Sequence, residues 1–167
     1  DLVRSENPSV YERLRPLVKV PIAVGEHFSD RWDGLEELVS KKLIDYSRVS
    51  IPNCGGITEY MKQAALCETN YVGLTPHFTG PIAEAALVHC LLVFSGPTTM
   101  EMTERGVNLP KYLPKAFDFK NGKMWPNRRP GLGVEFDPAG LTKLLEVTQG
   151  RQPNPLLRRP DGSLTNW

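Results

Sequence analysis

The sequence lacks an apolar run long enough to cross a membrane. Its longest apolar stretch, from Pro81 to Phe94, contains Glu84 and His89 and is shorter than the roughly 20 residues that a membrane helix needs. The first residues show no basic segment followed by an apolar one, so we expect no signal peptide. With 40% hydrophobic and 23% charged residues, the composition excludes a membrane protein, a collagen-like chain and a disordered chain.

The sequence also lacks an excess of charge of either sign. Lys and Arg number 20 against 19 Asp and Glu, which gives a formal net charge of +1. A nucleic acid or an anionic membrane attracts proteins through a surplus of positive charge. We therefore expect neither kind of partner.

Cysteine is scarce and poorly spaced for cross-linking. The three cysteines, Cys54, Cys67 and Cys90, form no Cys-x-x-Cys pair, so neither a disulfide framework nor a structural zinc site is expected. We predict that they are small buried residues. Free thiols suit a reducing compartment, so we expect a cytoplasmic protein.

The common catalytic and nucleotide-binding motifs are missing. The sequence has no phosphate-binding loop, no Gly-x-Ser-x-Gly and no His-Glu-x-x-His. Gly131-Leu132-Gly133 lacks a third glycine and a preceding strand, so it predicts a turn. Candidate functional residues must therefore be found from the fold that the sequence predicts.

Short β-branched runs alternate with segments of helical periodicity. Helices are predicted to begin at Asn7-Pro8, at Asp33 with Glu36 as a capping box, at Ile57 after a tight loop over 53–56, and at Pro81. Strands are predicted at 20–24, 44–51, 71–75 and 98–102. Strands separated by helices of about 10–14 residues predict βα units and a parallel sheet.

The βα pattern does not continue through the whole chain. We predict a barrel portion over 1–103, a segment over 104–150 that is rich in loops and ends in a helix at 139–148, and an extended tail over 151–167. No strand precedes the first helix, and a closed (β/α)8 barrel needs about 250 residues. The alternatives are the C-terminal half of such a barrel and a small doubly wound binding domain, complete in itself.

Polar residues follow the predicted strands at their carboxyl ends, where α/β proteins gather reactive groups. They are Glu26, the stretch 50–53, His77 and Glu101. Glu26 suits a divalent cation, and His77 suits an acid or base near neutral pH. The alternatives are a surface or capping role for Glu26, a hydrogen bond to a loop carbonyl for His77 and a buried structural acid at Glu101.

Five short motifs in this order resemble the enolase superfamily, in particular the barrel half of sugar-acid dehydratases related to mandelate racemase. The motifs are PIAVGE at 21–26, RWD at 31–33, GGITE at 55–59, TPH with GPIA at 75–83, and PGLGVE at 130–135. The resemblance extends to about residue 145. It implies the C-terminal half of a (β/α)8 barrel, four βα units followed by the segment with loops and a helix, with the upstream half of the barrel missing here.

The resemblance also implies a chemistry and its residues. It assigns Mg²⁺ binding to Glu26, acid or base catalysis to His77 and a further catalytic role to Glu101. The reaction is abstraction of a proton alpha to a carboxylate, with dehydration of an acid sugar (a lyase) as the first choice. A racemase or epimerase of the same superfamily and a catalytically weakened, non-enzymatic relative are the alternatives. A homo-oligomer is also implied.

One position departs from the family pattern. Relatives usually pair the histidine with an Asp on the preceding strand, and counting back from Gly55 places Ser50 there. A hydroxyl can orient an imidazole but cannot stabilise its charged form as a carboxylate does. We predict that Ser50 and Asn53 contact the substrate, while the identity of the sugar acid stays open.

Overall fold

Helices and strands alternate through the first part of the chain. The computed structural model describes residues 2–3, 5–28, 32–102, 108–139, 141–142, 157–158, 160–162 and 164–165. Its helices are α1 (Val10–Leu14), followed by a 3-10 turn (Arg15–Leu17), α2 (Trp32–Ser40), α3 (Ile51–Cys54), α4 (Ile57–Thr69) and α5 (Pro81–Leu92). Its strands are β1 (Ala23–Val24), β2 (Tyr46–Ser47), β3 (Gly73–Leu74), β4 (Asp118–Lys120), β5 (Lys123–Trp125), β6 (Leu157–Arg158) and β7 (Leu164–Thr165).

The first three strands form a parallel sheet in the order β1-β2-β3. Val24 pairs with Ser47, and Ser47 pairs with Leu74, so these three residues lie at one level of the sheet. The predicted fourth strand is reduced to a single parallel bridge between Leu74 and Thr98. The parallel sheet confirms the βα pattern, and its strands are shorter than the β-branched runs suggested.

The core lies between this sheet and the helices that cover it. On α2 the residues Leu35, Leu38 and Val39 are buried, and on α4 the buried residues include Tyr60 and Cys67. Residues that are three, four or seven positions apart lie on the same side of a helix, so each set forms one apolar stripe in the shared core. All three cysteines are buried and unpaired, which confirms the prediction of burial.

Several helix ends differ from the prediction. The first helix begins at Val10 rather than at Asn7, and α2 begins at Trp32, so Asp33 lies inside its first turn rather than before it. The stretch 51–54 is a one-turn helix that ends at Gly55, whose φ of 98° a glycine adopts without strain. Local side-chain capping is a weak determinant, and packing on the sheet sets these boundaries.

The segment after the βα units contains a β-hairpin that the sequence analysis did not predict. Strands β4 and β5 pair antiparallel around Asn121 and Gly122, which have φ values of 53° and 70°. Most of the predicted final helix over 139–148 and most of the predicted tail lie outside the described residues. In the described part of the chain, no helix is both long and apolar enough to cross a membrane.

Candidate active site

Four charged or titratable side chains follow the sheet at its carboxyl edge. Glu26 lies two residues beyond Val24, Arg48 one beyond Ser47, and His77 three beyond Leu74. Glu101 lies three residues beyond Thr98, which bridges to Leu74. Because the preceding residues share one level of a parallel sheet, the four side chains meet at one edge.

His77 is held between two carboxylates through one ring nitrogen. Its Nδ1 lies 2.7 Å from Glu101 Oε2 and 2.9 Å from Glu26 Oε2. The backbone N–H of Phe78 donates to Glu101 Oε2 at 3.1 Å, and that of His77 donates to the carbonyl of Arg48 at 3.2 Å. Main-chain and side-chain bonds together therefore fix the imidazole.

Arg48 lies at the centre of this cluster. Its Nη2 is 3.2 Å from Glu26 Oε2 and 2.9 Å from Glu101 Oε2. The same nitrogen is 3.1 Å from His77 Nδ1. The side chains of Arg48 and Glu26 are only 21% and 20% exposed, so solvent screens their attraction less than it screens a surface pair.

These distances favour one tautomer of His77. Nδ1 cannot donate to a carboxylate and accept from Arg48 at the same time. Two carboxylate oxygens lie closer to Nδ1 than Arg48 Nη2 does, which favours the proton on Nδ1. In the neutral ring the lone pair is then on Nε2, so His77 has a basic nitrogen that is not used by the two carboxylates.

Both carboxylates are held in their ionised form. Burial acts to raise the pKa of Glu26, but the hydrogen bond from Arg48 and the charge of His77 outweigh it, and the pKa is lowered. Burial likewise opposes ionisation of Glu101, whose pKa is nevertheless lowered by the Phe78 N–H, His77 and Arg48. Two ionised carboxylates therefore face Nδ1 of His77, and the Arg48 guanidinium lies beside them.

An ionised carboxylate at Glu26 is suitable as one ligand of a hard divalent cation. A complete metal site needs further ligands. In the described ranges, no group of three or more His, Cys, Asp or Glu side chains could hold a metal ion. Arg48 also brings positive charge to the same carboxylate. Glu26 could therefore supply one carboxylate ligand to a metal ion, and in this structure its Oε2 is paired with Arg48 and His77 instead.

The structure brings together three of the predicted site residues, Glu26, His77 and Glu101, and separates the other two from them. Ser50 is fully buried, and its Oγ has no hydrogen-bond partner in the described part of the chain. Asn53 is exposed on α3. The residue on β2's carboxyl side that contacts His77 is Arg48, which the sequence analysis did not identify.

In this site a histidine lies between two acidic side chains at the carboxyl edge of parallel strands. A helix links each of these strands to the next. This arrangement is typical of α/β-barrel enzymes, whose reactive side chains come from several strand ends. Residues 1–140 match the family model described as "Enolase C-terminal domain-like". The chain belongs to this family within the enolase superfamily, and the prediction of the C-terminal half of a (β/α)8 barrel is confirmed.

Curated relatives and solved structures agree with this assignment. The chain is 33% identical over 175 residues to a D-mannonate dehydratase of Caulobacter sp. (strain K31), covering 100% of this chain and 41% of that protein. It is 35% identical over 179 residues to a D-galactonate dehydratase of Ralstonia pickettii (strain 12J), covering 99% of this chain and 45% of that protein. An enolase from Pantoea ananatis, solved with bound D-gluconate and Mg, is 31% identical with a TM-score of 0.66, covering 82% of this chain and 34% of that one.

The chain therefore spans less than half the length of the curated relatives that it matches. The names of these relatives share one substrate class, since mannonate and galactonate are both acid sugars. The described residues contain the carboxyl ends of three strands and one bridge. The rest of a closed barrel lies outside what is described.

Proposed function

We propose that this chain supplies part of the active site of a Mg²⁺-dependent acid-sugar dehydratase, a lyase. The observation that carries the proposal is the contact of His77 Nδ1 with both Glu26 and Glu101, at 2.9 and 2.7 Å. It leaves Nε2 as the nitrogen that exchanges protons with a substrate. The names of the relatives support an acid sugar as that substrate.

In the proposed reaction, His77 moves two protons in sequence. Nε2 of the neutral ring first accepts the proton alpha to the substrate carboxylate, and the charged ring is stabilised by Glu26, Glu101 and their bonds. The same Nε2–H then protonates the beta-hydroxyl as its C–O bond breaks, and water leaves. The enol product tautomerises to a 2-keto-3-deoxy acid, so the atoms balance with water as the only by-product.

The role of the metal in the proposed reaction is to stabilise negative charge. When bound, Mg²⁺ supplies positive charge that stabilises the substrate carboxylate as negative charge builds up on it. Glu26 would be one of its ligands, and further carboxylates would come from the upstream half of the barrel. We assign Asn53, exposed on α3, to a contact with a substrate hydroxyl, and we do not extend this role to Ser50, whose side chain is fully buried.

Replacing the imidazole tests the proposal. In the complete gene product with Mg²⁺, His77→Gln should lower kcat for release of the 2-keto-3-deoxy acid by about 10²- to 10⁴-fold, because glutamine cannot carry a proton. The assay uses D-mannonate, D-galactonate and D-gluconate as substrates. His89→Gln, a matched change within α5, should leave kcat unchanged.

The assay also separates the alternatives. Exchange of the alpha proton with D₂O without loss of water would indicate a racemase or epimerase. A non-enzymatic relative would show neither exchange of the alpha proton nor dehydration of any acid sugar. Full activity of His77→Gln would disprove the role given to the imidazole.

A further inference from the structure

The segment that carries His77 is fixed by a hydrogen bond at each of its backbone N–H groups from residue 77 to residue 79. The N–H of His77 donates to the carbonyl of Arg48, and that of Phe78 donates to Glu101 Oε2. The N–H of Thr79 donates to Glu84 Oε1 at 3.1 Å. Two carboxylates thus bind consecutive backbone groups, Glu101 within the candidate site and Glu84 in the first turn of α5.

Glu84 is an unusual residue for its position. Among the described residues it is the one charged side chain that is fully buried. Its second oxygen, Oε2, has no hydrogen-bond partner in that part of the chain. Burial, aided by the nearby charge of Glu101, raises the pKa of Glu84 to about 7.

Stability alone does not explain this carboxyl group. The neighbouring buried positions of α5 hold Ala85, Ala86, Leu87 and Val88, and an apolar residue in place of Glu84 would avoid burying an oxygen without a partner. Sequences that break a local packing rule in this way do so most often at functional sites. The bond that the carboxyl group does make is to the segment of His77.

We propose that Glu84 is a positioning residue, which holds the Thr79 N–H and thereby sets the place of His77 between Glu26 and Glu101. This inference rests on the proposed function of His77. Without an acceptor at position 84, the Thr79 N–H loses its partner and the turn between β3 and α5 relaxes. The imidazole then moves relative to its two carboxylates, and a misplacement of about 1 Å can reduce a rate about 10²-fold.

Two substitutions of similar size separate positioning from packing. In the complete gene product, Glu84→Leu removes the acceptor, and we expect kcat for the acid sugar to fall by about 10- to 100-fold with a smaller change in KM. Glu84→Gln keeps a carbonyl oxygen for the Thr79 N–H, and kcat should return to within about threefold of wild type. Leu87→Ala, a cavity in the same helix, should lower thermal stability and leave kcat within about threefold.

Amide hydrogen exchange gives a readout that does not depend on turnover. The Thr79 amide should be protected in the wild type and in Glu84→Gln, and should exchange about tenfold or more faster in Glu84→Leu. If the wild type dehydrates no acid sugar, the proposed function fails, whereas the exchange of Thr79 still tests positioning. Glu84→Ala, which also lacks the acceptor, replaces the leucine variant if that one does not fold.

Three results would overturn the inference. One is an unprotected Thr79 amide in the wild type, and another is wild-type kcat in Glu84→Leu. The third is an equal loss of kcat in Leu87→Ala and Glu84→Leu, since that would assign the effect to packing of α5.

Discussion

At the scale of single residues, Arg48 helps to set the charge state of the site. Its guanidinium contacts Glu26 and Glu101, and both carboxyl groups have lowered pKa values that its hydrogen bonds help to set. A carboxyl group with a lowered pKa stabilises the fold above its ordinary pKa. That stabilisation is lost as the pH falls through the lowered value.

Arg48→Met should therefore destabilise the protein at neutral pH and flatten the fall of its stability with acid. Without the guanidinium, the pKa values of Glu26 and Glu101 rise towards their ordinary values, so the two carboxylates contribute less stability at neutral pH and less of it is lost as the pH falls. At pH 7 the free energy of unfolding should fall by only about 1 kcal/mol, because the side chain of Glu101 is 39% exposed and solvent screens its part. Urea unfolding between pH 4 and 8 measures both effects.

Arg129→Met is the matched control for this change. Arg129 pairs with Glu135 at 3.0 Å, away from the sheet edge, and the Glu135 side chain is 49% exposed. The control should leave the loss of stability between pH 7 and pH 4 almost as in the wild type, because solvent screens the exposed pair. An equal flattening in the two variants would contradict a special role for Arg48.

The sequence predicted three of the four residues in this cluster, and the reason for missing Arg48 is geometric. The β-branched run 44–51 suggested a strand that contains Arg48, so the end of that strand was sought at 50–53. The strand stops at Ser47, which places Arg48 at the carboxyl edge and Ser50 in the buried entry to α3. Periodicity reports which residues are buried, but it does not report where pairing ends.

At the scale of elements, close contact between β1 and β2 depends on Gly25. This residue has a φ of 145°, and a Cβ there would lie 2.9 Å from the backbone nitrogen of Arg48 and 3.0 Å from that of Val49. A side chain at position 25 would push apart the two segments that carry Glu26 and Arg48. The glycine in the motif PIAVGE is therefore required for the geometry of the site.

Gly25→Ala should destabilise the protein more than a glycine replacement without a steric clash. Gly56 also has a positive φ, of 117°, but a Cβ there would have no atom within 4 Å. Gly56→Ala thus measures the backbone strain alone. We expect Gly25→Ala to lower the free energy of unfolding by about 1–3 kcal/mol more than this control, as measured by urea unfolding, and equal losses would contradict the steric argument.

The sequence of the β4–β5 hairpin contains a local turn signal, but the composition of the surrounding segment indicates a loop. Asn121-Gly122 is the sequence of a type I′ turn, with both residues at positive φ. The flanking strands are short and mostly exposed, with the burial pattern of a solvated ribbon. Proline, glycine and lysine dominate the surrounding segment, so its average composition indicated loop.

At the scale of the whole molecule, the parallel sheet has two incompletely paired edges. Strand β1 has β2 on one side, and in the described part of the chain no strand pairs with its other side. At the opposite edge, Thr98 forms the single bridge to Leu74. A cavity beside this bridge is lined by apolar side chains, among them Leu92, Phe119 and Trp125, which are themselves exposed.

Open edges and exposed apolar side chains predict how residues 1–167 behave on their own. A sheet edge with unpaired N–H and C=O groups recruits other chains, and exposed apolar surface binds hydrophobic dyes. We expect residues 1–167 alone to self-associate in light scattering and to bind 1-anilinonaphthalene-8-sulfonate, whereas a longer chain that supplies the rest of a barrel to both edges should do neither. A monomeric chain that melts in one cooperative transition without binding the dye would favour the alternative of a self-sufficient, doubly wound domain with an open sheet.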